Sequence, residues 1–428
     1  MEDKFGNIVK LAGGKPAAIF GAGASGRAAA ALFRRAGIDF AVYALGAGTP
    51  DMPVREFDES AAKLHKLAVY SPVFRPDHEW VRLAEKHGAT AICEPDLSAL
   101  AWRGKIYAIT GTNGKTTLTS FVEKALCESG IKAVSAGNIG KPLSAFCAEM
   151  DDTENCAAVC ELSSFQTSRL KFLRPDALLW TNFAPDHLDW HKDMREYFGA
   201  KFNLVKALKE KMLFVGGDVA EAAAEYGEKL PDFAQIVQCG NPSACPAPFD
   251  TSVQSQNYAM ADAFLSAIGL AEAAEKAAKT FTLPKYRFTA PEVACGVKFY
   301  NDSKATNAHA AIAALRELAG TKNLVWLGGG KDKNCDLSEL AAEIRKTAKS
   351  AVLIGQTAEK LAKLLGRENV PAEICATMKD AVAAAAKSAG EGGSVLFSPA
   401  FSSFGMFSGY ADRGKSFQNE VLCLKNLK

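Results

Sequence analysis

A glycine-rich turn that ends in a lysine and two threonines constrains this chain more than any other feature. The apolar run 106–110 leads directly into Gly111-Thr-Asn-Gly-Lys115-Thr116-Thr117, and the residues after it predict a helix. In such a strand–turn–helix unit, backbone N–H groups converge on phosphate oxygens, the lysine neutralises phosphate charge, and a threonine hydroxyl reaches Mg²⁺. The turn is shorter than the full GxxxxGK[ST] pattern, because Ile109 stands where the first glycine would be. We therefore predict a nucleotide-phosphate site in an α/β fold.

The length and charge of the chain limit its architecture and its partners. At roughly 150 residues per domain, 428 residues predict about three domains. The 50 Lys and Arg residues against 48 Asp and Glu leave a net charge of +2, which argues against a general nucleic-acid binder or a polybasic membrane protein. No apolar run reaches the roughly 18 residues of a membrane helix, and the acidic start has no apolar signal segment. We therefore expect a cytoplasmic protein with no nucleic-acid or membrane partner.

The cysteines do not form a metal-binding or disulfide pattern. There are 11 of them, an odd number, and no pair has the spacing CxxC. Free buried thiols in a reducing cytoplasm are therefore favoured over a zinc site or a disulfide framework.

A second glycine turn lies near the start of the chain. The apolar run 16–20 precedes Gly21, Gly23 and Gly26, and an Ala- and Leu-rich helical segment follows. This is the start of a Rossmann-like βαβ unit, in which the helix N-terminus attracts a phosphate. The next strand is followed by Ala44, whereas NAD-binding proteins place an acidic residue there to hold the ribose. A nucleotide-diphosphate site is favoured over an NAD site, and a turn that only allows close helix–strand packing is the alternative.

The rest of the chain alternates between apolar runs and helical segments. Strand-like runs of the C-terminal part begin at residues 297, 323, 350 and 394, with a predicted helix between successive runs. Such alternation is typical of a doubly wound parallel α/β sheet. A proline ends the preceding pattern at Leu283-Pro284, which marks a boundary. The predicted domains are 1–103 (Rossmann-like), 104–283 (P-loop ATPase-like) and 284–428 (Rossmann-like, doubly wound).

Acidic and imidazole side chains follow the strands of the predicted middle domain. Glu161 ends a strand just before Ser163, and a carboxylate at that place is a natural Mg²⁺ ligand. Asp186-His187 and His191 follow a later strand and hold two of the 6 histidines of the chain. For His187 the alternative is a structural hydrogen bond, and for His191 surface exposure is favoured. Zinc is disfavoured, because no cysteine or histidine lies at ligand spacing on a neighbouring element.

Three polar turns follow strands of the predicted C-terminal domain. They are Asn301-Asp302-Ser-Lys304-Ala-Thr306-Asn307, Gly328-Gly-Gly-Lys-Asp-Lys333 and Ser398-Pro-Ala-Phe-Ser-Ser403-Phe404. A helix N-cap at Thr306 or Asn307 would account for one of these residues only. Because open α/β sheets bind ligands at the carboxyl ends of strands, we expect the three turns to line one cleft that faces the phosphate turn. We expect Arg287 to reach the ATP phosphates.

Together these motifs resemble the Mur ligase family, whose members build the peptide stem of bacterial peptidoglycan. The resemblance covers essentially the whole chain, in the family's order of three domains. The phosphate turn alone would fit any member, including folylpolyglutamate synthetases, whereas residues 161–166, 301–307 and 398–404 are similar to the member that adds D-glutamate. The resemblance implies an ATP-dependent amide ligase that joins D-glutamate to UDP-N-acetylmuramoyl-L-alanine through an acyl phosphate, with two Mg²⁺ ions. We expect a monomer.

The resemblance also implies roles for individual residues. The catalytic residues would be Lys115, Glu161, His187 and Lys201. The Mg²⁺ ligands would be Thr116, Glu161 and His187, joined by Lys201 if that lysine is carbamylated. The ATP-binding residues would be Gly111, Thr112, Asn113, Gly114, Lys115, Thr116, Thr117, Asn257, Arg287 and Asp302. The substrate-binding residues would be Gly21, Gly23, Gly26, Asn138 and Ser163 for the nucleotide substrate and Lys304, Thr306, Lys333, Ser403 and Tyr410 for D-glutamate. Without the resemblance, Lys201 would be interpreted as a surface lysine.

The sequence departs from the family pattern at several of these sites. Tyr410 stands where the family commonly has Phe, and Tyr286 replaces a common His beside Arg287. In the first domain, Ala44 stands where an acidic residue often holds uracil, and the family's Ser-Pro-Gly loop reads Ser-Pro-Val73. We therefore expect the first domain to hold the nucleotide mainly through its glycine turn.

Two alternative functions remain open at this point. One is another Mur-type ligase that adds a different amino acid. The other is a nucleotide-binding module without catalysis, which would bind ATP and release no phosphate with any acceptor.

Overall fold

The structure is a computed structural model that describes residues 4–46, 48–49, 52–238, 240–288, 291–333 and 335–426. The chain divides into two compact units. The first unit comprises Met1–Phe183, Arg195–Gly240 and Gln256–Phe281, and the second comprises Ala184–Met194, Asn241–Ser255 and Thr282–Lys428.

The first sheet belongs to the first unit and consists of short parallel strands. Its strands are β1 (Ala17–Phe20), β2 (Phe40–Tyr43), β3 (Val54–Arg55), β4 (Leu67–Tyr70) and β5 (Thr90–Cys93), in the order β3-β2-β1-β4-β5. The accompanying helices are α1 (Gly6–Ala12), α2 (Ala24–Arg35), α3 (Glu59–Ala62), α4 (Glu79–Lys86) and α5 (Glu94–Ala99). Every residue of β1 and β4 is buried, as expected for central strands of a parallel sheet that is covered on both faces.

The second sheet also lies in the first unit and is parallel throughout. Its strands are β6 (Ile106–Thr110), β7 (Ala133–Gly137), β8 (Ala157–Glu161), β9 (Ala177–Trp180), β10 (Leu213–Gly216) and β11 (Ala234–Val237), in the order β11-β10-β9-β6-β8-β7. The helices of this part are α6 (Lys115–Glu128), α7 (Leu143–Glu149), α8 (Ser164–Thr167), α9 (Met194–Ala207), α10 (Gly217–Tyr226), α11 (Ser252–Ala267) and α12 (Ala273–Ala278). The 3-10 turn at Pro242–Ala244 belongs to the second unit. Since β6 lies between β8 and β9, the residues that follow these three strands share one edge of the sheet.

The third sheet lies in the second unit and is parallel except at one edge. Its strands are β12 (Glu292–Ala294), β13 (Val297–Asn301), β14 (Leu324–Gly328), β15 (Ser350–Leu353), β16 (Ala372–Ile374) and β17 (Ser394–Phe397), in the order β12-β13-β17-β14-β15-β16. Only the edge strand β12 pairs antiparallel among these described strands. The helices are α13 (Ala308–Glu317), α14 (Ser338–Thr347), α15 (Ala358–Arg367), α16 (Met378–Ala389) and α17 (Tyr410–Lys425). Apolar clusters on both faces of this sheet form its core.

The mixed α/β class with parallel sheets is confirmed, while the three domain boundaries stay a prediction. The helix predicted after the phosphate turn begins at Lys115, with the turn glycine Gly114 as its N-cap. The prediction of buried free thiols is correct for some of the described cysteines and wrong for others. The buried ones are Cys93, Cys147, Cys156, Cys160 and Cys375, whereas Cys127, Cys295 and Cys423 are exposed. Among the described residues, none of the helices has the length and apolar character needed to cross a membrane.

Candidate active site

The phosphate turn joins β6 to α6 in a conformation that requires glycine at two positions. Gly111 has φ = 142°, and a Cβ there would overlap the hydroxyl of Thr181. Gly114 has φ = 83°, and a Cβ there would lie 2.5 Å from Oδ1 of Asn257. Both angles fall in the left-handed region that favours glycine. The predicted ATP contact Asn257 therefore lies directly against the turn, within the same unit.

Lys115 is the first residue of α6 and folds back over the turn. Its Nζ donates hydrogen bonds to the main-chain carbonyls of Gly111 and Thr112, both at 2.9 Å. Thr116 is partly buried in the first turn of the helix, whereas Thr117 is fully buried. The ammonium thus lies at a helix N-terminus, where phosphate is favoured electrostatically.

Lys201 brings a second ammonium to the same carbonyl. Its Nζ donates to the carbonyl of Gly111 at 2.9 Å and to Oγ1 of Thr110 at 3.4 Å. The side chain is 1% exposed and lies 4.9 Å from the ring centroid of Tyr197. The surface position that the residues alone would indicate for Lys201 is therefore wrong, because its ammonium reaches the end of β6 and the start of the phosphate turn. Two cations converging on one carbonyl favour an anion at the turn.

Residues that follow β9 hold the phosphate turn in place. Asn182 accepts a hydrogen bond at Oδ1 from the main-chain N–H of Asn113 at 2.8 Å, and its Nδ2 donates to the Asn113 carbonyl at 3.1 Å. Thr181 donates to the same carbonyl at 2.6 Å, and the N–H of Thr112 donates to the main chain of Asn182 at 3.0 Å. These contacts depend on the strand order, which places β9 beside β6.

Glu161 ends β8 beside the predicted substrate contact Asn138. The Asn138 amide donates to Oε1 of Glu161 at 2.9 Å, and the main-chain N–H of Asn138 donates to the Glu161 carbonyl at 2.8 Å. Glu161 is 3% exposed. Ser163 caps the short helix α8 through a capping box with Gln166. Three residues predicted for substrate or metal therefore lie together at the carboxyl ends of β7 and β8.

The donor chemistry in the first unit fits Mg²⁺ held by a nucleotide. Glu161 supplies carboxylate oxygen and Thr116 hydroxyl oxygen, which are the hard ligands this ion prefers. In the described part of the chain no three His, Cys, Asp or Glu side chains gather as a metal cluster. Nucleotide-bound Mg²⁺ needs only one or two protein ligands, because phosphates and waters supply the rest. Lys201 donates hydrogen bonds in its unmodified form, so a metal-ligand role would require its carbamate.

The first glycine turn combines close packing with one open position. Gly21 has φ = 103°, and a Cβ there would lie 2.5 Å from Oγ of Ser71. A Cβ at Gly26 would overlap the Gly21 carbonyl, whereas Gly23, the N-cap of α2, has no neighbour within 4 Å. Close packing therefore explains two of the three glycines. The third leaves space at a helix N-terminus.

Asp302 follows β13 in the second unit and is buried. Its carboxylate accepts hydrogen bonds from Oγ of Ser398 at 2.8 Å and from the main-chain N–H of Phe288 at 3.1 Å. Burial raises the pKa of Asp302 to about 7, although the Ser398 hydroxyl and the charge of Arg287 oppose the rise. The predicted ATP contacts Arg287 and Asp302 thus interact electrostatically within this unit.

This pKa predicts a pH dependence of stability. Below its folded pKa the buried carboxyl of Asp302 is protonated, whereas in the unfolded chain it ionises above about 4. The stability that this proton contributes is complete below pH 4 and is lost as the pH rises through 7. The free energy of unfolding should fall between pH 5 and pH 8 in the unaltered protein. In Asp302→Asn, which has no ionisable group at this position, the fall should be about 2–3 kcal/mol smaller. Urea unfolding at both pH values measures this, and equal pH dependence in the two proteins would contradict it.

Asp186 accepts hydrogen bonds from Lys333 and Asn307, which both lie in the second unit. Lys333 donates from Nζ to its Oδ1 at 2.7 Å, and the Asn307 amide donates to its Oδ2 at 2.9 Å. Burial alone would raise the pKa of Asp186, but the charges of Lys333 and His187 and these hydrogen bonds lower it to about 2. Asn307 also caps α13 through its side-chain oxygen. Asp186 was not among the predicted site residues. Its position directly before the predicted site residue His187 could have indicated it.

The two histidines of this segment have different environments. His187 has φ = 57° and lies with Nε2 3.6 Å from Oδ2 of Asp186. His191 is 2% exposed, with its ring centroid 4.5 Å from that of Trp190. Surface exposure of His191 is therefore a wrong prediction, because the turn after His187 folds its ring inward.

The remaining predicted D-glutamate contacts also lie in the second unit. The ammonium of Lys304 lies 3.8 Å from the centroid of the Tyr410 ring. Ser403 is buried and Thr306 is partly buried. Lys304 and Thr306 follow β13, Lys333 follows β14 and Ser403 follows β17, so these residues meet at the carboxyl edge of three neighbouring strands.

Comparison with known proteins identifies two family domains in the chain. The Mur ligase middle domain matches residues 109–242, and the Mur ligase glutamate ligase domain matches residues 287–401. The UDP-N-acetylmuramoylalanine--D-glutamate ligase of Caldanaerobacter subterraneus subsp. tengcongensis is 33% identical over 404 residues, which cover 88% of this chain and 89% of the relative. The chain belongs to the Mur ligase family. The family prediction is therefore confirmed, and so is the prediction that this protein is an ATP-dependent ligase.

Solved Mur ligase structures share the fold at low sequence identity. The UDP-N-acetylmuramate-alanine ligase of Thermotoga maritima has a TM-score of 0.61 at 14% identity, with 96% of this chain and 99% of that chain covered. The MurF ligase of the same organism, solved in complex with ADP, has a TM-score of 0.57 at 15% identity, with 85% and 96% covered. At this level of identity the likeness concerns the fold alone.

Proposed function

We propose that this Mur ligase adds D-glutamate to UDP-N-acetylmuramoyl-L-alanine and converts ATP to ADP and phosphate. The observation that carries the proposal is the 33% identity, across 89% of its length, to a relative named for this addition. The ADP in the related MurF structure supports ATP as the phosphoryl donor. Peptidoglycan synthesis and a cytoplasmic location follow from the substrates.

The proposed reaction has two bond-forming steps. The terminal alanyl carboxylate attacks the γ-phosphorus of ATP, the bond between that phosphorus and the β–γ bridging oxygen breaks, and ADP leaves. The D-glutamate amine then attacks the acyl-phosphate carbonyl. The tetrahedral intermediate expels phosphate, the nitrogen loses a proton, and an amide remains. Both steps bring anions together, so the site must supply positive charge.

In the first unit, the phosphate turn is the proposed ATP site. The backbone from Gly111 to Thr117 surrounds the phosphates, and Lys115 neutralises charge that develops on the γ-phosphoryl group. Lys201 stabilises the start of the turn through the Gly111 carbonyl. Asn138 and Ser163 contact the muramoyl part of the substrate.

Mg²⁺ completes this site in the proposal. Thr116 and Glu161 would hold one ion in the first unit. Roles for His187, and for Lys201 if carbamylated, in binding a second ion stay what the family resemblance implies. When bound, the ions neutralise phosphate charge as Lewis acids. The Asn138 amide fixes one Glu161 oxygen at 2.9 Å and so orients the carboxylate.

The second unit is proposed to bind the amino acid and part of the nucleotide. Lys304, Thr306, Lys333, Ser403 and Tyr410 form the D-glutamate pocket, in which lysine ammoniums meet carboxylates. For Asp302 and Arg287, contacts with ATP stay what the family resemblance implies. The domains 104–283 and 284–428 carry these two functions, and 1–103 holds the uridine diphosphate at Gly21, Gly23 and Gly26.

An amino-acid exchange assay tests the proposed function. ADP release is measured with UDP-N-acetylmuramoyl-L-alanine and Mg²⁺, with D-glutamate present, absent, or replaced by L-glutamate, L-alanine or a diamino acid. We expect release to depend on D-glutamate. Dependence on another amino acid would instead identify a Mur ligase of different specificity. ATP binding without phosphate release for any acceptor would identify a non-catalytic module.

A further inference from the structure

Two side chains of the proposed amino-acid pocket, Lys304 and Tyr410, contact each other directly. The Lys304 ammonium lies 3.8 Å from the ring centroid of Tyr410, closer than the 4.9 Å between Lys201 and the Tyr197 ring. A cation over an aromatic face is attracted by the ring quadrupole. Because the ammonium covers this face, the face is not open to the carbon chain of a substrate.

The main chain fixes both partners of this contact. Ser303, which precedes Lys304, donates from Oγ to the carbonyl of Tyr410 at 2.9 Å. Arg413, one turn along α17, donates from Nε to Oγ of Ser303 at 3.1 Å and from Nη2 to its carbonyl at 2.8 Å. Ser303 and Arg413 are 0% and 1% exposed. The main chain of Tyr410, which carries the ring, is therefore held close to the main chain of Lys304.

We propose that Tyr410 is a positioning residue that holds the Lys304 ammonium for a carboxylate of the amino-acid substrate. This rests on the proposed function, since D-glutamate must be the ligand that Lys304 meets. A lysine has a long stem with several rotatable bonds, and a carboxylate must order it on binding. The ring orders it beforehand, which lowers the free-energy cost of substrate binding. The Tyr ring acts through the lysine and needs no hydroxyl for this role.

Steady-state kinetics of ring variants test the proposal. Tyr410→Leu removes the ring and should raise the KM for D-glutamate about five- to tenfold, with kcat changed far less. Tyr410→Phe keeps the ring and should restore most of the affinity. The KM values for ATP and the nucleotide substrate should move little. Leu422→Ala, at a 42% exposed position of the same helix, is the control for α17.

A double-mutant cycle separates positioning from simple packing. In a Lys304→Gln background, Tyr410→Leu should add little to the KM, because no ammonium remains to be held. Pentafluorophenylalanine at position 410 keeps the ring shape but reverses its quadrupole, so it should raise the KM even if the Leu variant does not fold. Equal KM values for the Phe, pentafluorophenyl and unaltered proteins, or the same effect without Lys304, would overturn the proposal. ADP release by the unaltered protein that ignores D-glutamate would instead overturn the proposed function.

Discussion

Replacing Lys115 with methionine should lower the rate of ADP release at least about 100-fold, which corresponds to about 3 kcal/mol of transition-state stabilisation. Methionine keeps an unbranched apolar stem of similar shape and removes the ammonium group, with its charge and its hydrogen-bond donors. The Lys115 ammonium is held over the turn by the carbonyls of Gly111 and Thr112, so it is already in place when phosphate arrives. Initial-rate measurements of ADP release at saturating substrates provide the readout.

Lys124→Met is the matched control for Lys115→Met. Lys124 lies on the same helix, where it forms a 2.8 Å ion pair with Glu128. An i,i+4 pair of this kind contributes only about 0.3–0.5 kcal/mol to stability, and we expect near-normal turnover. A Lys115→Met protein that melts normally and turns over within threefold of the unaltered rate would contradict the assigned role.

Removal of Asp186 should destabilise the second unit by about 3–5 kcal/mol, because it leaves the largely buried ammonium of Lys333 uncompensated. The two side chains are 4% and 12% exposed, and their ion pair measures 2.7 Å. Asp186→Ala also leaves the Asn307 amide without the acceptor that it uses in the folded protein. Urea unfolding at neutral pH, followed by a signal from the second unit, measures the loss.

Two further variants determine whether burial of the pair causes this loss. Glu368→Ala breaks the pair with Arg345, whose side chains are 33% and 63% exposed, and should cost about 0–1 kcal/mol. Lys333→Met combined with Asp186→Ala removes both charges and should regain part of the stability. If Asp186→Ala lowers the free energy of unfolding no more than Glu368→Ala does, the pair of Asp186 and Lys333 does not stabilise the second unit as proposed.

Much of the local structure was predictable from neighbouring residues in the sequence. The apolar run 106–110 and the glycines after it predict strand, turn and helix, because their backbone preferences are local. The N-cap at Asn307 was foreseen as one of two alternatives for the same reason. The environment of His191 was predicted wrongly, and the residues around Lys201 alone would also indicate a surface side chain, because a side chain at a helix or turn surface is buried only when another element packs over it.

The sequence by itself determined the family, the alternation of strands and helices, and the positions of the polar turns after strands. Only the tertiary structure decided which of these polar groups meet. Asp186 and Lys333 are 147 residues apart in the chain, and Ser303 and Tyr410 are 107 apart. Contacts at such separation depend on the strand order β13-β17-β14 and on the packing of α17, which no local preference specifies. The sequence therefore predicts which residues can do the chemistry, and the fold determines the charge and orientation with which each is presented.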